Sequence, residues 1–308
     1  MDALEEMRKE RAALWALQRK ETDVIMLDDS PRNARSRSPR KREELSSEST
    51  AFKVLTWNID GLDNDSDEED MLGRTLWVVK QIRHLNPDVV FLQELVDFNF
   101  QIISQFLCKG FHIHVQEDAK HPYFVAVLVN KLTVEVIGKP IPIEFPNSKM
   151  GRAALFVSIR RKGSTAQYGC ITTHLESLRE SSHERMSQIS IIDAFAKTRM
   201  EEDTCIFGGD LNIRENEVPE TWKDKDSWII AGKDGREEFT WDLSMNSNAR
   251  MPNGSKPRCR FDRIYLLKNE SNKKVKTFKL VGKSPVEGLE GRRFASDHFG
   301  VFVSLGID

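Results

Sequence analysis

From residue 51 onward the chain alternates short, nearly continuous apolar runs with stretches in which apolar residues recur every three or four positions. The runs 52–57, 89–92, 123–129, 153–159, 168–173, 204–207, 263–267 and 299–304 are each bounded by turn formers or charges and predict strands. Residues 72–85 and 182–198 carry the helical spacing. Strands interleaved with helices predict an α/β domain of roughly 250 residues. The first 50 residues lack either pattern. Residues 5–20 favour a short helix but offer little apolar surface beyond Leu14 and Leu17, and 32–42 hold six basic residues among serines. Residues 1–50 are therefore expected to form a mostly disordered arm.

Of the 308 residues, 39% are hydrophobic and 31% charged, enough for a sizeable buried core. The longest apolar run, 123–129, falls far short of the roughly 18 residues that a bilayer-spanning helix needs. No basic segment followed by an apolar stretch marks a secretory leader, so a soluble protein without a membrane partner is expected. Cys108, Cys170, Cys205 and Cys259 form no C-x-x-C pair, which argues against a structural zinc site or a disulfide framework and for a reducing compartment. With a net charge of −2, affinity for a polyanion has to come from local basic patches. The run 63–70 contains six acids and no base, and reads as a solvated loop or a helix start.

Chemistry is expected where strands end, because an α/β sheet presents its site there. Asn58 and Asp60 close the first strand, Glu94 follows the second, and His174 follows the run 168–173. Gly208-Gly209-Asp210-Leu211-Asn212 follows 204–207, its glycines read as a sharp turn beneath a carboxylate and a carboxamide. Phe261-Asp262-Arg263 and Ser296-Asp297-His298 lie at the last two strands. Any one of these is ordinary turn or cap chemistry. Together they repeat carboxylates, carboxamides and two histidines at strand exits along the whole domain. Carboxylates gathered in one cleft repel one another by about 1 to 4 kcal/mol per pair at close range, and a divalent cation removes that cost. The candidate ligands are hard oxygens and neither histidine has a cysteine partner, so Mg²⁺, or Mn²⁺ in its place, is expected rather than zinc.

The ordered set Trp57-Asn58, Leu92-Gln93-Glu94, His174, Gly209-Asp210-Leu211-Asn212, Asp262 and Ser296-Asp297-His298 resembles the motifs of the endonuclease/exonuclease/phosphatase superfamily over nearly all of 51–308. The resemblance implies a DNase I-like four-layer α/β sandwich, two mixed sheets flanked by helices, with 51–308 as the catalytic domain. The strings TWNIDGLD, THLES, GGDLNIR, FTWD with MNSN, FDRI and SDHFG are most similar to the 5′-tyrosyl-DNA phosphodiesterases of that superfamily, which free a trapped topoisomerase II tyrosine from a DNA 5′ end. On that resemblance Glu94 is the main Mg²⁺ ligand, with Asp60 and Asp297 in direct or water-mediated contact. Asp210 is the general base, positioned with help from Asn58 and Asn212. His298 donates to the phosphoryl oxygens while Asp262 holds its ring, and His174 and Ser177 contact the phosphate. Tyr123, Arg179, Arg214, Trp241, Phe261 and Arg293 match positions that line a narrow groove for a single-stranded 5′ end, and mixed aromatics and arginines suit sequence-tolerant strand binding. The segment 249–257 is more polar than the apolar wall the family leads one to expect.

The arm departs further. Vertebrate members carry a three-helix ubiquitin-associated domain, for which 50 residues of this composition are too few. Val24, Ile25, Met26 and Leu27, followed by Asp28-Asp29, instead look like a motif for the small ubiquitin-like modifier, an apolar strand that adds to a sheet edge. The stretch 32–42 looks like a nuclear-localisation segment or a plain solvated linker, so the nucleus is the expected compartment, with the cytoplasm second. The expected function is Mg²⁺-dependent hydrolysis of the 5′-phosphotyrosyl bond by a monomer. The alternatives are an abasic-site or other DNA endonuclease of the same superfamily, and a modifier-binding scaffold with an idle domain.

Overall fold

The computed structural model describes residues 51–63, 65–116, 122–199, 201–269 and 273–306. The arm, its 24–27 motif and its basic 32–42 stretch lie outside them. Strand β1 (Ala51–Asn58) leads through helix α1 (Glu68–Leu85) into β2 (Val89–Val96), then α2 (Asp97–Leu107), β3 (Phe111–Val115) and β4 (Tyr123–Asn130). There follow β5 (Val134–Glu144), β6 (Ala153–Arg161), β7 (Gln167–His174), α3 (Ser182–Thr198) and β8 (Thr204–Asp210). After the one-turn helix α4 (Ser227–Ile230) come the paired β9 (Trp241–Asp242) and β10 (Arg258–Cys259), then β11 (Asp262–Asn269), β12 (Val275–Val281) and β13 (Gly300–Gly306).

Two mixed sheets result, ordered β12-β13-β1-β2-β4-β3 and β11-β8-β7-β6-β5. In each, one parallel pair sits among antiparallel neighbours: β1 with β2, and β7 with β8. Side chains alternate along a strand, so each central strand serves two cores. Phe52, Val54, Phe91 and Val127 meet Leu155, Val157, Ile206 and Ile264 between the sheets. Leu55, Trp57, Val90 and Leu92 face the other way, under Val78 and Ile82 of α1 and Ile103 of α2. Phe156, Ile171 and Phe207 face outward under Ile189 and Ile192 of α3 and under Trp222. The layers are helix, sheet, sheet, helix, as expected, and each such buried side chain contributes about 1.5–3 kcal/mol of transfer free energy.

Several sequence expectations need correction. The strands of β2, β7 and β8 run on through the polar residues that seemed to end them. Gly209 does not turn the chain; it lies inside β8, where a Cβ would collide with the carbonyl of Thr173 on the parallel neighbour. The acidic run 63–70 is only partly solvated. Asp67 caps α1 by accepting from Asp70 N at 2.8 Å, while Asp63 and Asp70 turn inward onto Arg74 and Arg293. Five strands, β3, β5, β12 and the short pair β9 and β10, and the helix α2 are absent from the sequence expectation. All five strands lie at sheet edges, and α2 places Asn99 at a core position, where its Oδ1 accepts from Val96 N at 2.8 Å.

Candidate active site

Alternation along β1 carries Val54, Thr56 and Asn58 on its inner face, apolar in the core and polar at the C-terminal end. Thr56 Oγ1 donates to Gln93 Oε1 at 3.3 Å, and Gln93 Nε2 donates across to Thr172 Oγ1 of the opposite sheet at 3.0 Å. On this buried polar floor Asn58 Nδ2 donates to both Glu94 Oε1 (3.1 Å) and Asp210 Oδ2 (2.9 Å). Glu94 reaches that position through a bulge: the β2–β4 register shifts between Leu92 and Leu95, and Glu94 has φ 54.

Asp210 collects contacts from every side. Beyond Asn58, its Oδ1 accepts from Asn212 N at 3.1 Å and its Oδ2 lies 3.2 Å from His174 Nε2 and 3.7 Å from His298 Nε2. Burial alone would raise its pKa, but His174 and His298, with hydrogen bonds from His174 and Asn58, hold it well below the usual carboxylate range. His174 Nδ1 is 2.6 Å from Nη1 of Arg152. Arginine can only donate, so Nδ1 accepts and the proton facing Asp210 sits on Nε2. Arg152 Nη2 also donates to Ser177 Oγ at 3.1 Å, and its guanidinium lies 4.6 Å from the centroid of the Tyr123 ring. Ser177 Oγ in turn lies 3.4 Å from Asn212 Nδ2.

His298 is fixed by the strand that follows it and by its neighbours. Ser296 Oγ donates to the carbonyl of Asn58 at 2.6 Å and accepts from His298 N, and Trp57 Nε1 donates to the carbonyl of His298. Nδ1 of His298 lies 2.7 Å from Asp262 Oδ2, and β11 pairs Asp262 opposite Asp210. Burial opposes the imidazolium, but Asp262, Asp297 and Asp210 together outweigh it and hold the His298 pKa well above its ordinary value.

The metal-ligand expectations separate. Glu94, His174 and Asp210 offer ligand atoms within 4.8 Å of one another. Asp297 faces the same cleft, with Oδ1 3.8 Å from His298 Nε2 and Oδ2 accepting from Trp241 Nε1 at 3.1 Å. Asp60 has one oxygen taken by Arg74 Nη2 at 2.7 Å. Burial and Asp297, with Glu94 and Asp63, nonetheless push its carboxyl well above the usual range against the pull of Arg74. Asp297, Glu94 and Asp63 thus lie close enough to Asp60 for their charges to act on it. Of the three expected ligands, only Glu94 belongs to a cluster of ligand atoms among the described residues, the one it shares with His174 and Asp210; the oxygen-rich donors of the cleft suit a hard divalent cation.

Of the expected substrate residues, Tyr123, Trp241 and Phe261 are half-buried around the cleft; the Trp241 and Phe261 rings lie 5.7 Å apart and Phe261 lies 6.4 Å from the His298 ring. Arg179 is exposed, and half-buried Arg214 lies close enough to Cys259 to act on its thiol. Arg293, expected to line the groove, has its guanidinium taken up by Asp63, Asp70 and Ser66. The loop joining β9 to β10 encloses a groove of about 340 Å³ whose lining mixes Leu243, Met245 and Met251 with Arg250 and Lys256, so apolar surface persists despite the polar segment 249–257. Sequence reasoning missed Arg152 and Arg74. Each is a buried cation whose partners lie far away along the chain or in an unremarkable acidic run, and only Arg152's place just before an apolar strand hinted at it.

The fold and this carboxylate–histidine cleft define a metal-dependent phosphoesterase architecture. Residues 55–298 match the endonuclease/exonuclease/phosphatase family, and the chain belongs to it. It is 33% identical over 266 residues to tyrosyl-DNA phosphodiesterase 2 of Rattus norvegicus, an alignment covering 84% of this chain and 68% of the relative. It is also similar to solved structures: D. rerio TDP2 complexed with single-strand DNA product (29% identity, TM-score 0.74, 83% of this chain and 99% of that one) and truncated Caenorhabditis elegans TDP2 (32%, 0.73, 84% and 98%).

Proposed function

We propose that this chain hydrolyses the ester joining a DNA 5′-phosphate to a tyrosine, leaving the phosphate on the DNA, with Mg²⁺ as cofactor and topoisomerase II adducts as its substrate class. The observation that carries the reading is the convergence of Asn58, His174 and His298 on the single carboxylate of Asp210, with Glu94 bonded to the same Asn58. Its similarity to tyrosyl-DNA phosphodiesterases over most of the chain selects the tyrosyl ester within the family.

When bound at Glu94, Asp297 and Asp60, a divalent cation supplies fixed positive charge for the phosphoryl oxygens. Asp210 stays ionised at neutral pH, accepts a hydrogen bond from the attacking water and takes its proton; with its low basicity, orienting the water is the larger part of that role. His298 donates from Nε2 to a phosphoryl oxygen where negative charge grows. Arg152 adds a second fixed cation on the flank shared by His174, Ser177 and Tyr123. The departing phenol has a pKa of about 10, well below an alkyl alcohol, so its oxygen leaves without a dedicated strong acid. Trp241 and Phe261 offer ring faces for stacking, and Arg179 and Arg214 offer phosphate contacts, which suits the kind of single-strand end that the D. rerio protein holds.

The proposal extends to the nucleus through the basic stretch 32–42 and to the small ubiquitin-like modifier through Val24, Ile25, Met26 and Leu27; alanines at these four positions should abolish capture of the modifier. The central test incubates the purified chain with a 5′-tyrosyl oligonucleotide and, separately, an abasic duplex, with Mg²⁺ or with chelator. Metal-dependent release of a 5′-phosphorylated oligonucleotide supports the proposal. An intact tyrosyl ester beside a cut abasic duplex assigns the chain to the endonuclease alternative.

A further inference from the structure

Among the described residues six non-glycines have positive φ, and three of them, Asp60, Glu94 and Asn212, belong to the cleft. A fourth, Leu178, directly follows Ser177. With φ 70 and ψ 152 it occupies a region essentially reserved for glycine. Its backbone is held there by Arg185, a fully buried residue whose Nη1 donates to the carbonyls of Glu176, Ser177 and Leu178 while Nη2 pairs with Glu217 Oε1 at 2.7 Å. The Leu178 side chain, by contrast, is 58% exposed. The loop therefore maintains a conformation that glycine would adopt freely, and uses it to display an isobutyl group to solvent. Pointing the Leu178 carbonyl at Arg185 explains the backbone, but the exposed side chain adds nothing to the packing, and strain of this kind gathers where a protein meets its ligand.

The neighbours say which part of a ligand. Ser177 Oγ accepts from Arg152 and Asn212, where the phosphodiesterase reading puts the reacting phosphate, and Arg179, exposed one residue beyond Leu178, is placed for a further phosphate. Between consecutive phosphates of a strand lie one sugar and its base. We infer that Leu178 is a specificity-determining residue whose side chain packs against the deoxyribose and base of the nucleotide bearing the reacting phosphate. This rests on the phosphodiesterase reading above.

The test compares wild type, Leu178→Gly and Leu178→Met on two esters with Mg²⁺: a single-stranded oligonucleotide carrying a 5′-p-nitrophenyl phosphate ester, and bis(p-nitrophenyl) phosphate, which has no nucleotide. Glycine should raise KM for the oligonucleotide roughly ten-fold and lower the ratio of kcat/KM between the two esters to match, while melting no lower than wild type because the strain is gone. Methionine should keep the oligonucleotide KM within about two-fold of wild type. An unchanged KM in the glycine variant overturns the inference, as do equal losses on both esters, which would mark a purely positional role beneath Ser177. A wild type inert toward both esters would instead sink the phosphodiesterase reading, and this inference with it.

Discussion

Nδ1 of His298 lies 2.7 Å from Oδ2 of Asp262, and both side chains are buried. That contact fixes the ring, aims Nε2 at the cleft and helps keep the imidazolium charged to high pH. Asp262→Asn should lower kcat by about 10³–10⁴-fold, the scale seen when an orienting carboxylate is removed from a catalytic histidine. The sign of the pH effect follows from the raised pKa: with the carboxylate gone, the proton leaves His298 at lower pH. The alkaline limb of kcat/KM should move toward neutrality, which rate measurements across the titration range would show.

Asp210→Asn keeps the shape of the acceptor but cannot take a proton. A loss of about 10²–10⁴-fold in kcat is expected, with binding of a 5′-phosphorylated oligonucleotide changed little. Fluorescence anisotropy beside turnover separates the two; a parallel loss of binding would make Asp210 a phosphate contact instead.

Chelation should abolish turnover, and Mg²⁺ or Mn²⁺ should restore it. Because the ion binds the folded cleft and relieves repulsion among Glu94, Asp60 and Asp297, saturating Mg²⁺ should also raise the melting temperature; at 100 times Kd the linkage is worth about 2.7 kcal/mol. Glu94→Gln should shift the Mg²⁺ dependence of both readouts to higher concentration.

Glu217 closes the buried pair beneath the Ser177 loop. Burial raises its pKa, but Arg185, helped by Ser182 and the backbone N–H of Arg214, brings it below the ordinary value. A depressed folded pKa stabilises above the unfolded value, about 4.3, and that contribution is lost as pH falls through the folded value. Glu217→Ala should destabilise the fold by about 3–5 kcal/mol at neutral pH by stranding the Arg185 charge. Urea unfolding should show the gap to wild type narrowing in acid, below about pH 4.

The parts of the fold that sequence reveals are those buried on both faces. Residues 52–57, 153–159 and 204–207 are almost continuously apolar because each strand faces one core between the sheets and another under a helix. The edges carry no such signal. Gly138 and Pro140 fall at the register shift of β5 with Pro142 just beyond it, Lys276 and Lys279 break the apolar pattern of β12, and His112 and His114 interrupt β3. An edge strand needs only one ladder partner and gains from charge that repels further pairing. The cleft was legible for the same reason in reverse: Asn58, His174 and Asp210 are polar residues appended to apolar strands, and that contrast survives in one dimension. The bulge at Glu94 leaves no one-dimensional trace, and the buried cations Arg152 and Arg74 leave almost none: Arg152's partners lie over 20 residues away and Arg74's sit in an acidic run that reads as solvated.

Asn58 and Glu94 come from one half of the sandwich and His174 and Asp210 from the other. Neither half holds a working centre, so a slip between them extinguishes turnover before either unravels. Catalytic rate therefore doubles as a gauge of whether the two halves are seated.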